Sequence, residues 1–206
     1  MTETTWTPPA TWPVPREWDG GRCFILCSGE SIGRQAATIA RLQGRFIAVK
    51  HGVLLRPEAD VLFISGEGTA GVAAELLPKF RGRHVVVRGK SDPTLPAQVR
   101  RVTRSKHHGE LCDLRDHVSG RDSGTSAINL AYHFGATEIV LLGYDMRGGH
   151  FCEHPLPFPP QDHFDRHTEF LGQLNEDARR KGIRIVNCSP KSAVTAFERG
   201  RLEDYL

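Results

Sequence analysis

RDSGTSAINLAYHFGATEIVLLGYDM, residues 121–146, decides the fold. It reads as a glycine-bearing loop, an amphipathic helix, a buried strand and a terminal aspartate. Ala127, Leu130, Ala131 and Phe134 recur with a 3.6-residue period and share one helix face. Gly135 follows as a helix C-cap, and Ile139, Val140, Leu141 and Leu142 form the continuous apolar run of a strand covered on both sides. Gly143, Tyr144 and Asp145 then stand where open α/β sheets place their ligands. Upstream, Ser123, Gly124, Thr125 and Ser126 open the helix, where unpaired N–H groups and the positive dipole end favour an anion such as phosphate.

The same grammar extends in both directions. Cys23–Cys27 reads as a first strand, with a glycine turn at Ser28–Gly33 and a helix to Leu42. Further strands are expected at Phe46–Val49, Val61–Ser65 and His84–Val87, with a helix at Ala70–Leu77 that Pro78 breaks. Residues 89–120 carry little periodicity and are expected to hold one irregular strand plus loops facing the site. A late helix is expected from Arg166 to Lys181, a strand at Ile183–Asn187, and a short C-terminal helix that starts at Ser189 and contains Ala193, Val194 and Phe197. Alternating strands and helices predict an α/β fold: a doubly wound, mostly parallel sheet with helices on both faces.

Composition sets the outer limits. With 206 residues and 39% apolar content, one domain spanning residues 22–206 is expected. Residues 1–21 hold Trp6, Trp12 and Trp18 among Pro8, Pro9, Pro13 and Pro15, too many prolines for a helix. The segment reads either as an apolar strap across the domain or as a proline-rich ligand arm, and the strap is favoured because exposed tryptophan is a liability. A net charge of +3 is mild. Arg101, Arg104, Lys106, His107 and His108 form a local basic cluster that reads as a solvated loop, although it leaves nucleic acid as a partner unexcluded. The cysteines Cys23, Cys27, Cys112, Cys152 and Cys188 include no C-x-x-C pair, so no disulfide framework is expected. With no apolar leader and no run near the roughly 20 residues of a membrane span, a reducing cytoplasm is the expected compartment. The composition is compatible with a homo-oligomer.

Three strand-end loops are expected to converge: Ser28–Gly33, Asp122–Ser126 and the segment from Asp145. The first lacks the G-x-G-x-x-G pattern, which disfavours a nicotinamide cofactor, and no G-x-x-x-x-G-K-[ST] occurs. Residues 145–164 are expected to form a mobile loop over the site, carrying His150, Cys152, His154 and His163, with His167 just beyond. Together with Asp145 and Asp162 these could hold a metal, but they fit no zinc spacing; a histidine acting as general base is the preferred reading. His163 is best placed for it, with His154 as the second candidate.

With these residues in view, the chain resembles the Rossmann-like superfamily that joins bacterial sialyltransferases of glycosyltransferase family 42 to the archaeal 6-hydroxymethylpterin diphosphokinases. Its W-P-V-P-R-E-W start and late N-C-S-P and A-F-E-R are most similar to phage-encoded members of unassigned role. The similarity runs from about Arg22 to Phe197. The family's G-x-G-P-S-L turn is matched in part by Cys27–Ile32; its R-x-x-S-G and L-G-x-x-x-I-x-L-x-G-x-D pattern, with the first spacing shortened, by Arg121, Ser123, Gly124, Gly135, Ile139, Leu141, Gly143 and Asp145. Ser28 and Lys50 stand where the family often has asparagine.

The resemblance implies a transferase using a nucleotide-linked donor, foremost a glycosyltransferase acting on a hydroxyl acceptor. The donor would be a CMP-sugar or UDP-sugar, or ATP in a diphosphokinase; a non-catalytic nucleotide-binding or assembly protein is the remaining alternative. Ser28, Gly29, Ser31, Ser123, Gly124 and Thr125 would cradle phosphate, with Arg121 or Lys50 neutralising it. His163 would be the base, and Asp145 a catalytic group able to help hold magnesium.

Overall fold

The structure is a computed structural model that describes residues 10–66, 68–89, 92–153 and 160–206. Nine strands form one all-parallel sheet: β1 (Arg22–Leu26), β2 (Arg45–Val49), β3 (Val61–Ser65), β4 (His84–Arg88), β5 (Arg100–Arg104), β6 (His117–Val118), β7 (Glu138–Leu142), β8 (Arg184–Asn187) and β9 (Glu198–Arg199). Their order is β6-β5-β4-β3-β2-β1-β7-β8-β9. The chain builds outward from β1 in one direction and then returns to build in the other. The reversal falls between β1 and β7, which pair from Arg22↔Glu138 to Leu26↔Leu142. At such a switch point neighbouring connections diverge and leave a crevice above the strand ends.

Both sheet faces are covered, as the apolar strand runs require. On one face lie α3 (Ser123–Phe134) and α5 (Leu171–Arg180), which bury Ile128, Leu130, Phe134, Leu171, Leu174 and Ala178 against Ile25, Phe63 and Leu141. On the other lie the four-residue α1 (Ala36–Ile39), α2 (Thr69–Leu76) and 3-10 turns, which bury Ile32, Ile39, Ala73 and Leu76 against Phe24, Leu62 and Val140. Cys23 and Cys27 belong to the first face, Cys188 to the second, and all five cysteines are unbridged.

Gly135 ends α3 with φ 107°, a left-handed cap that glycine adopts without strain. The N-terminal segment docks here: the Trp18 amide donates to the Phe134 carbonyl at 2.8 Å, and the Trp18 ring stacks on Phe134 at 4.6 Å between centroids. Such a stack contributes about 0.5–1.5 kcal/mol beyond its area. Val14 is fully buried, and Trp12 packs against the edge of the same cluster. Trp6, Pro8 and Pro9 lie outside the described residues.

Four expectations are corrected. Residues 89–120 contain two short strands, β5 and β6, rather than one. The turn after β1 continues as a 3-10 helix, Glu30–Gln35, before α1, so no single α-helix runs to Leu42. The late helix is two, α4 (Gln161–Thr168) and α5; α4 buries no residue, so it leaves no apolar periodicity in the sequence. No helix starts at Ser189. The Ser189 hydroxyl accepts from the Tyr144 amide, Ser192 donates to the Tyr144 carbonyl, and the Ala193 amide donates to the Asp145 carbonyl. Those bonds hold the segment in a non-helical path, Val194 and Phe197 still enter the core, and the chain ends in β9 and a 3-10 turn.

Candidate functional site

The crevice above β1 and β7 is a cleft of about 670 Å³. Every strand from β1 to β5, and β7, delivers lining residues from its carboxyl end. These are Cys27 to Gly29 after β1, Lys50 after β2, Ser65 and Gly66 at β3, Arg88 at β4, Arg104 at β5 and Gly143 to Arg147 after β7. The start of α3 contributes Arg121 to Gly124, and α4 contributes His163, Phe164 and His167. The three loops named from the sequence therefore do converge.

Their inner chemistry differs from the expectation. The first turn has spent its donors internally: the Gly29 amide donates to the Gly143 carbonyl, the Glu30 amide to Gly149, and both the Ser31 amide and hydroxyl to the Asp145 carboxylate, at 2.9 and 2.6 Å. Ser31 is buried and does not line the cleft. Asp145 thus clasps the first turn to β7. A Cβ on Gly29 would lie 2.5 Å from both the Asp145 carboxylate and the Gly143 carbonyl, so only glycine permits this closure. Ser28 does line the cleft, its hydroxyl directed to the Val49 carbonyl at 3.4 Å.

The terminus of α3 is also occupied. Asp122 is its N-cap: its carboxylate accepts from the amides of Gly124 and Thr125 at 2.7 and 3.0 Å and from the hydroxyls of Thr125 and Tyr144. Amides capped by a carboxylate are not open to phosphate, which corrects the picture of a bare helix terminus. Thr125 is buried in this box, away from the cleft. Ser123 and Gly124 line it, with the Ser123 hydroxyl 2.7 Å from that of Ser65.

What the cleft offers an anion is side-chain charge. Lys50, Arg88, Arg104, Arg121 and Arg147 line it against two carboxylates, Asp122 and Asp145, so five cations face two anions and three positive charges remain. None of the five forms an ion pair among the described residues. Arg88 is buried and donates only to neutral oxygens, the Gly120 carbonyl and the Ser126 hydroxyl. Burial, aided by Arg104 and opposed by Asp122, lowers its pKa to about 10. Burial and then Arg88 also lower the Lys50 ammonium. Lys50 and Met146 both line the cleft with positive φ, 50° and 51°, the only non-glycine residues to do so among those described. Such backbone costs of order 1–3 kcal/mol and gathers at functional sites.

Three histidines, His150, His163 and His167, also line the cleft. His163 and His167, one turn apart on α4, have ring centroids 4.2 Å apart. Burial pushes the His167 imidazole below its ordinary pKa; Asp122 opposes this, and His163 and Arg121 add to it. Gln161 anchors α4 through the Met146 carbonyl, and Arg121 lies over the Phe170 ring at 4.8 Å. His150 bonds the Ser28 carbonyl through Nδ1 at 3.2 Å. His154 lies outside the described residues, and no group of three or more metal-ligating side chains occurs among those described. Cys27 is no activated nucleophile, because burial, with Asp122 and Asp145, raises its thiol well above the ordinary value.

Sequence reasoning missed Arg88 and gave Arg104 to a solvated loop, whereas the structure sets both in the cleft beside His167, already a candidate histidine. Arg88 had a readable signal, a charged residue ending the apolar run H-V-V-V-R. Arg104 did not, since β5 has little apolar pattern and its place in the sheet comes from pairing with β4.

No family model matches the chain, and no curated protein matches it. Its fold is similar to that of the sialyltransferase CST-II solved with a trisaccharide acceptor and CMP, at TM-score 0.52 and 13% identity over 86% of this chain and 85% of that one. CstII from Campylobacter jejuni with cytidine-5'-monophosphate gives TM-score 0.55 and 11% identity over 87% and 84%. The same enzyme with CMP-3FNeuAc gives 0.53 and 11%. At such identities the likeness is one of fold: a Rossmann-like α/β sheet.

Proposed function

We propose that this chain is a transferase that takes a nucleotide-linked donor, and specifically a glycosyltransferase that passes a sugar to a hydroxyl acceptor. One observation carries the reading: five cations against two carboxylates line a cleft at the switch point of the sheet, and none of the five is ion-paired among the described residues. An anionic ligand would supply the missing charge, and the solved structures of similar fold are complexes with CMP or the substrate analogue CMP-3FNeuAc.

Sugar transfer from a nucleotide needs stabilisation of a departing phosphate and a base for the acceptor oxygen. Arg121, Lys50 and Arg88 stabilise the phosphate; Ser28 and the Ser65–Ser123 hydroxyl pair supply neutral polar contacts. His163 is the base, with the His167 ring beside it on α4. Asp145, bound to Ser31, is a positioning residue rather than a reacting group.

A thermal-shift screen with cytidine, uridine, guanosine and adenosine nucleotides and their sugar conjugates tests the reading. Ligand at a hundred times its dissociation constant stabilises the fold by about 2.7 kcal/mol. With the donor so identified, His163→Ala is expected to lower turnover by roughly 10²–10⁴-fold with little change in donor affinity. Full turnover in that variant would remove His163 from the mechanism.

A further inference from the structure

Lys50 and Arg88 bracket the end of β3 from either side. Arg88 is the register partner of Ser65 in the β3–β4 pair, and the Lys50 ammonium reaches from the end of β2 to 3.7 Å from the Cβ position of Gly66. The floor between them carries the Ser65 and Ser123 hydroxyls. Arg104 follows one strand further on. This group lies off the β1/β7 switch point, as far as β4, three strand spacings or roughly 14 Å from β1. Neither cation has an ion-pair partner among the described residues, and Arg88 is buried. Buried charge is retained only where something compensates it.

We propose that Lys50 and Arg88 form a second-phosphate subsite, so that the donor is linked through a diphosphate rather than a single phosphodiester. This deepens the nucleotide reading above and rests on it. A single phosphodiester carries one negative charge against these two cations, whereas a diphosphate sets a second anionic phosphoryl group beside the first and supplies charge for both. Geometry, rather than excess charge alone, makes the subsite local: Lys50 and Arg88 stand at the ends of β2 and β4, whereas Arg121 precedes α3 and Arg147 follows β7.

Titration calorimetry in chelator-containing buffer, so that only the protein's own cations act, tests the subsite. The ligands are the mono- and diphosphates of the four nucleosides, with inorganic phosphate and pyrophosphate beside them. The wild-type chain is expected to bind the diphosphate of its preferred nucleoside at least about tenfold more tightly than the monophosphate, or 1.4 kcal/mol. Lys50→Asn, which tolerates the left-handed backbone, should shrink that ratio to within about threefold of unity. Arg121→Met should weaken both ligands and preserve the ratio, and melting curves verify that each variant folds. Equal affinity for mono- and diphosphate in the wild type overturns the subsite while leaving the nucleotide reading intact, as does an equal change of ratio in both variants. If no nucleotide binds, that reading fails instead, and the subsite stands or falls on whether pyrophosphate outcompetes phosphate in a Lys50-dependent way.

Discussion

The two ends of the sheet treat the same residue types in opposite ways. At the amino end, Arg22 meets Glu138 at 2.6 Å, Arg45 meets Asp60 at 3.0 Å, and Arg184 is shared between Glu138 and Glu198. At the carboxyl end, Arg88 and Arg104 end their strands and Lys50 follows β2, none with a carboxylate partner among the described residues, and the cleft's two carboxylates are spent on a helix cap and on Ser31. The arginines record the contrast: hydrogen bonding to Glu198 raises Arg184, whereas burial lowers Arg88 to about 10. Charge is paired at one end and left unpaired, among the described residues, at the other.

The sharpest way to break this contrast is Asp145→Ala. If Asp145 is a clasp rather than a counter-ion, its loss orphans the buried Ser31 amide and hydroxyl and should cost roughly 2–4 kcal/mol in chemical denaturation. A cost near zero would make the carboxylate a ligand group instead. Next in size, and opposite in sign, Lys50→Asn should raise the stability of the ligand-free chain by about 0.5–2 kcal/mol while abolishing much of its ligand-induced shift. A fall in ligand-free stability would mean that Lys50 serves the fold.

A smaller effect is expected at the amino end, where Arg184→Met should lower stability by about 0.2–1 kcal/mol, because its ion pairs are half exposed and screened by water. Smallest is a pH slope. The folded-state pKa of Lys50 is lowered, so near that pKa and up to 10.5 the unfolded chain binds more protons than the native one. Its contribution to native stability therefore rises with pH across that window, and melting curves of wild type and Lys50→Asn should converge as the pH climbs.

Much of the fold was legible because its signals are local. Buried strands such as Ile139–Leu142 show as apolar runs, and α3 shows as a 3.6-residue stripe ended by Gly135. α4 was illegible in part because it buries nothing, and β9 because Ser189 and Ser192 are held by the backbone of Tyr144, far away in sequence. At the site, Ser123 and His163 were readable as polar residues at a helix start and before the late helix, whereas Lys50 and Arg121 were picked out by the family resemblance. Ser31 and Thr125 looked equivalent to Ser28 and Ser123, yet they face into the walls.

The sequence by itself determined an alternating α/β chain, its apolar layers and the loops that meet at one sheet edge, since periodicity and glycine stops act within a few residues. Only the tertiary structure decided which polar atoms remain available there. Asp122 closes the helix terminus it begins, Asp145 closes a turn 114 residues away, and Lys50, Arg88 and Arg104 come together across three separate strands. Hydrogen bonds and charges are satisfied by whatever is near in space, and nearness in space is set by the order of the strands.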